Sequence, residues 1–194
     1  MIRKISISPS LAILLVICFI SDAYVNFFAL LIAAGLHELG HLIIARILNI
    51  RIESLELSIF GALIKTSNLS CSYKKEALLA FAGPVCNIVC AVISILLLSH
   101  FQSEFLSVFF AASSGLAMVN LLPIKNFDGG RILSSVILRR LSPRAAHCIV
   151  EFSSFLFLFL IWSVSVYFII RSQKYLPLFV FSGATFLRMF INEG

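Results

Sequence analysis

Residues 8–48 form an almost unbroken apolar stretch of 41 positions, and nothing else in the sequence limits the fold as much. As a single helix it would reach roughly 60 Å, about twice the hydrocarbon thickness of a bilayer. The stretch must therefore fold back, and Ser21-Asp22 is the polar break where it can do so. This reading gives a short first helix over 8–20 and a second over 24–48. The same beginning also fits a cleavable signal peptide: basic Arg3-Lys4, an apolar run, and Ser21-Asp22-Ala23 with the cut after Ala23.

Further apolar runs follow at 75–99, 105–122, 146–170 and 175–191, the last interrupted by Pro177 and Gly183 and carrying Arg188 near its end. Composition supports the same class, because 60% of the residues are apolar and only 12% charged. A soluble domain carries about a quarter charged residues. The expectation is an all-α polytopic membrane protein of six spans, forming one membrane-embedded domain over 1–194. At about 20 residues per span, six spans leave no room for an appended soluble domain.

The net charge of +6 is dispersed over short loops rather than gathered into a stripe, so a nucleic-acid partner is not expected. The basic residues serve better as topology markers. With a cytosolic N-terminus, thirteen of the fifteen Lys and Arg fall on the inner side, and only Arg171 and Lys174 fall outside. This follows the positive-inside rule and puts both termini in the cytoplasm. The five cysteines form no C-x-x-C pair, which argues against a disulfide framework or a cysteine zinc site.

One segment departs from helical periodicity. From Ile50 to Ile59 apolar residues alternate with Arg51, Glu53, Glu56 and Ser58, and the phase slips at Ser54 as a bulge would cause. Gly61 separates this run from a second one, Ala62 to Leu69. A β-hairpin over 50–69 on the cytosolic side is expected; an irregular loop is the alternative.

The second helix carries Leu36-His37-Glu38-Leu39-Gly40-His41, an H-E-x-x-H pattern. Residues four apart share a helix face, so His37 and His41 can offer two imidazole nitrogens to one ion. Glu38 lies about 100° round the helix, where its carboxylate can act on a water without being a ligand. With four His in the chain, chance produces the pattern about 0.3% of the time. Ionisable residues inside a span are also functional candidates by default. The alternative is a polar cluster that bonds neighbouring helices.

A hydrolytic zinc site needs a third protein ligand. The chain has two aspartates: Asp22, on the outer side, and Asp128, in Asn120-Leu-Leu-Pro123-Ile-Lys-Asn-Phe-Asp128-Gly129-Gly130, on the inner side with the histidines. Pro123 and the glycine pair would let the chain unwind there and turn a side chain inward. Read alone, Asp-Gly-Gly is also an ordinary turn.

Taken with Ala82-Gly83-Pro84-Val85-Cys86-Asn87 in the next span, these motifs resemble the site-2 protease family of intramembrane zinc metalloproteases. The run Val119 to Ile124 and then Phe127-Asp-Gly-Gly-Arg131 is most similar to the bacterial branch that includes the sporulation-factor processing protease. The resemblance covers roughly 25–135. It implies a three-helix catalytic core over 24–135, with spans five and six over 146–191 outside it. It also implies Zn2+ held by His37, His41 and Asp128, Glu38 as general base, and Asn87 and Asn120 near substrate or oxyanion.

The implied substrate is a membrane protein cleaved in or near its transmembrane segment, such as a membrane-tethered transcription or sigma factor precursor or an anti-sigma factor. The implied setting is a bacterial cell membrane, with a membrane-embedded regulator as a further partner. Neither a PDZ nor a CBS domain fits: the longest loop, 49–75, has 27 residues, and Gly194 follows span six closely. A metal transporter would also place His and Asp in spans but gives Glu38 no role, and a non-catalytic scaffold would tolerate loss of these residues. His100, His147 and Glu151 read as interfacial, with Glu151 set to pair with Arg144. Arg131 reads as a neutraliser of charge near the site or as a topology marker.

Overall fold

The computed structural model describes residues 4–7, 24–50, 52–58, 61–66, 72–125, 127–171 and 183. The expected spans at 8–20 and 175–191 lie outside these residues. Two compact units divide the chain, Met1–Leu121 and Leu122–Gly194.

The first unit contains helices α1 (Tyr24–Ile47), α2 (Tyr73–Leu98) and α3 (Glu104–Asn120), which pack pairwise against one another. It also holds a three-stranded sheet in the order β1 (Lys4–Ile7), β2 (Ile52–Ser58), β3 (Gly61–Thr66). β1 runs parallel to β2, and β2 antiparallel to β3, with a register irregularity between Ile52 and Ser54.

Among the described residues, three helices are long and apolar enough to cross a membrane: α1, α2 and 143–168. At 17 residues, α3 is a shorter apolar helix. The packing is inverted relative to a soluble bundle. α1 buries Ala29, Ala33, His37, Gly40, His41 and Ala45, and α2 buries Ala80, Gly83, Asn87 and Ser94. Large apolar side chains face outward, with Ile43 56% and Leu96 62% exposed. Hydrocarbon supplies no drive to bury Leu or Ile, so small residues fill the seams where backbones approach and bulky ones face lipid.

Gly40 marks a close approach of α1 and α2. A Cβ there would lie 2.7 Å from the Ala82 carbonyl oxygen and 2.9 Å from the Cys86 Cβ. α1 then ends in a Schellman turn. Asn49 takes a positive φ of 55°, Ile50 N–H donates to the Ala45 carbonyl at 2.8 Å, and Asn49 N–H to that of Arg46 at 3.2 Å. Lys75 Nζ donates to the Leu48 carbonyl at 3.2 Å, tying the foot of α2 to the end of α1. These bonds fix where along α2 the histidines of α1 fall.

The second unit contains α4 (Asp128–Ile137) and α5 (Pro143–Arg171), packed together. The apolar run predicts a span over 146–170, and the sequence predicts no helix at Asp128. Glycines in the second and third positions of α4 explain the omission, since they are poor helix formers in an interior. Ser142 caps α5, accepting from the Ala145 amide at Oγ and the Ala146 amide at its carbonyl, with Pro143 at the first helical position.

Candidate metal centre

His37 and His41 lie one turn apart on the buried stripe of α1, 5% and 3% exposed. Their rings meet edge to face at 81°, with centroids 4.9 Å apart, and their Nε2 atoms approach to 3.2 Å. Two nitrogens bound to one tetrahedral zinc at 2.0–2.1 Å stand about 3.3–3.4 Å apart. The pair already has the spacing that one ion requires. Glu38 follows His37 on the same helix and is half-buried.

What holds this spacing is a stripe on α2 with a period of four residues. The carbonyl of Leu79 accepts the Nδ1–H of His41 at 2.8 Å. The side-chain amide of Asn87 lies 3.2 Å from Nδ1 of His37. Midway between them is Gly83, where a Cβ would lie 2.6 Å from His37 Nε2 and 2.7 Å from His41 Cε1, and would also overlap His41 Nε2. Each ring is held by the nitrogen that faces away from the other ring. The space where the two Nε2 atoms meet exists because position 83 has no side chain, and it is lined by two nitrogen donors. This donor set and this cradle fit a divalent transition metal.

The sequence singled out Ala82 to Asn87 as a motif without a reason for the glycine; the close approach supplies it. Pro84 adds a local effect, because it has no N–H for the carbonyl of Ala80 and so interrupts the ladder one turn from the site. Asn120, the other asparagine of interest, donates Nδ2–H to the Leu116 carbonyl of its own helix at 3.0 Å.

In the second unit Asp128 opens α4 and is 6% exposed. Arg131, one turn on, places Nη1 3.5 Å from Asp128 Oδ1 and so sets a positive charge beside a carboxylate held out of water. A Cβ on Gly130 would overlap the Ile124 carbonyl and lie 2.9 Å from Lys125 N, so the chain before Asp128 lies directly on the first turn of α4.

That irregular segment is fastened by α5. Lys125 N–H donates to Ser154 Oγ at 2.8 Å, and Ser153 Oγ donates to the Pro123 carbonyl at 2.8 Å. Lys125 Nζ reaches Glu151 Oε1 at 3.3 Å, and His147 Nδ1 reaches Glu151 Oε2 at 2.9 Å. Glu151 therefore pairs with Lys125 and His147, whereas the sequence suggested Arg144. Ser153 and Ser154 were missed. The only signal was polarity at 147, 151 and 154 within an otherwise apolar helix, a spacing that marks one face.

The profile of peptidase family M50 matches residues 25–103 and 97–161. Among solved structures, the fold is similar to the site-2 protease from Methanocaldococcus jannaschii, with a TM-score of 0.69 over 95% of this chain and 88% of that one. Identity to it is 19%, so this likeness shows the fold alone. No curated protein matches the chain by sequence. The family match runs through His37 and His41 and on past Asp128, and it decides what the fold likeness does not: this chain belongs to peptidase family M50 and is an intramembrane metallopeptidase.

Proposed function

We propose that the bound metal is zinc, held by His37, His41 and Asp128, and that the enzyme cleaves a peptide bond in or beside the transmembrane segment of a membrane-anchored protein. The observation that carries this reading is the pair of buried imidazoles whose Nε2 atoms stand 3.2 Å apart against a glycine. His37, His41 and Asp128 are a donor set able to hold a metal ion. Zinc, when bound, supplies Lewis acidity toward a carbonyl and lowers the pKa of a water toward about 7.

The rest of the chemistry belongs to the chain. Glu38 accepts the proton of the attacking water and returns it to the departing amine, a general base and then a general acid. The carbonyl of Leu79 keeps His41 in the tautomer whose Nε2 is a lone pair. Arg131 offsets the charge that Asp128 brings into a buried setting.

A helical substrate hides its peptide bonds in its own ladder, so it must unwind before it is cut. β2 is the central strand of the sheet, which leaves β3 as the hairpin's outer edge among the described residues. An extended substrate segment adds to such an edge by main-chain hydrogen bonds. Charge bias further supports six spans with both termini in the cytoplasm. The resemblance to the sporulation branch of the family is what supports a bacterial membrane and a tethered transcription factor, sigma factor precursor or anti-sigma factor as substrate.

The test is Glu38→Gln. The purified variant is expected to retain zinc at the wild-type stoichiometry while cleavage of a co-expressed single-span substrate falls to background. Cleavage that persists at the wild-type rate removes Glu38 from the mechanism.

A further inference from the structure

The two histidines are tethered by chemically different groups, and the difference has a consequence for metal binding. A backbone carbonyl can only accept, so Leu79 fixes the hydrogen of His41 on Nδ1 and leaves Nε2 with its lone pair. His37 has an amide in the same place. An amide presents either a donor or an acceptor according to which way it is turned, and its two ends have nearly the same shape.

With Nδ2 toward the ring, Asn87 donates to a lone pair on Nδ1 of His37, and the imidazole hydrogen must then sit on Nε2. That tautomer cannot offer Nε2 to an ion. With Oδ1 toward the ring, Asn87 accepts Nδ1–H and the lone pair returns to Nε2, facing His41 Nε2 at 3.2 Å. Binding of an ion through Nε2 requires the second arrangement. Asn87 is 0% exposed, and its Oδ1 is a buried acceptor with no partner while Nδ2 faces the ring. Turning the amide gives that oxygen the Nδ1–H of His37 and moves Nδ2 to where the oxygen stood, so the choice between the two orientations falls to the lone pair that an ion needs on Nε2.

We propose that Asn87 is a positioning residue for the metal centre: its Oδ1 accepts the Nδ1–H of His37 and thereby selects the tautomer that can bind metal through Nε2. It does for His37 what the Leu79 carbonyl does for His41. The two tethers stand eight residues apart on α2, one turn to either side of Gly83, so each holds its ring by the Nδ1 side and leaves the two Nε2 atoms to meet between them. This assigns Asn87 to the ligand rather than to substrate or oxyanion, and it rests on the reading that His37 is a zinc ligand.

The experiment measures zinc affinity by competition with a chromophoric chelator on purified full-length chain in detergent, with no substrate present. Asn87→Asp keeps an acceptor on both atoms, whereas Asn87→Leu keeps the size and removes the acceptor. The expected result is a loss of about 10- to 100-fold for Asn87→Leu and a change within about threefold for Asn87→Asp. Asn87→Ser, whose hydroxyl falls short of the ring, should match the leucine variant and serves in its place should that variant misfold. Wild-type affinity in Asn87→Leu or Asn87→Ser overturns the proposal, as does an equal loss in Asn87→Asp, which would mark a packing role. Wild-type chain that binds no zinc, or His37→Ala that binds it undiminished, overturns instead the assignment of His37 as a ligand.

Discussion

On α1 the two imidazoles sit inside a regular helix and face a second regular helix, while Asp128 stands where an irregular segment becomes a helix. The two regions position their donors by different physics. Helical periodicity alone puts His37 and His41 one turn apart, and α2 needs only a matching period of four to present a carbonyl, a glycine and an amide. The segment 121–127 has no such periodicity. Two of its backbone groups, the Lys125 N–H and the Pro123 carbonyl, are bonded from α5 by Ser154 and Ser153, and the Lys125 side chain pairs with Glu151 of the same helix. In a bilayer, non-helical backbone is tolerated only where protein or water satisfies it. The first region should therefore fail through steric intrusion and the second through loss of tethers.

The largest effect is expected at Gly83. In Gly83→Ala the added methyl falls where the two Nε2 atoms meet, and neither His37 nor His41 can withdraw without breaking its tether on α2. Zinc content of the purified variant should fall to the detection limit and cleavage with it. Gly35→Ala, on the same pair of helices but with nothing within 4 Å of its Cβ, is the control and should retain both. Zinc bound normally by Gly83→Ala would mean that α1 and α2 separate easily, and the contrast between a rigid and a tethered region would collapse.

How much of this was legible in the sequence follows the same division. The apolar runs and the four-residue spacing of His37 and His41 are periodic and local, so α1, α2, α3 and α5 and the histidine pair could be read directly. The glycine, proline and asparagine of 83–87 could be singled out only as a motif. The reasons for the glycine and the asparagine lie in contacts 42 to 50 residues away in sequence, Gly83 against His41 and Asn87 with His37. The fastening of 121–127 was not legible, because Ser153 and Ser154 in an apolar helix look like residues bonding their own i−4 carbonyls. Ser154 does bond the Val150 carbonyl at 2.6 Å, and nothing local announces that Lys125 N–H comes to it as well. The helix at Asp128 was hidden by Asp-Gly-Gly, which fits a turn as well as a helix start.

The tethers of the second region differ among themselves in burial. Ser154 is 0% exposed, and Ser154→Ala leaves the Lys125 amide without its acceptor while keeping a good helix former in α5. The expected cost is about 1–3 kcal/mol of stability, read as a lower denaturation temperature. With it should come a loss of about tenfold in zinc affinity through displacement of Asp128. A destabilised variant with unchanged zinc affinity would show that α5 supports the fold without positioning the aspartate, and the comparison would lose its functional half.

The smallest effect is expected at Glu151, although its carboxylate reaches two polar partners, Lys125 and His147. Its partners are the reason. The Lys125 side chain is 40% exposed and that of His147 60%, so water competes for both partners, and the Lys125–Glu151 ion pair is worth about 0–1 kcal/mol. Glu151→Gln keeps the size and one acceptor oxygen, and should lower stability by less than about 1 kcal/mol with zinc affinity unchanged. The same measurement in added salt separates charge from position. A glutamate held only by charge loses its contribution as ionic strength rises, so wild type and Glu151→Gln should converge. A large, salt-resistant loss in Glu151→Gln would instead make the ion pair a tether on a par with Ser154, and the 121–127 segment would then be held by charge as much as by its backbone bonds.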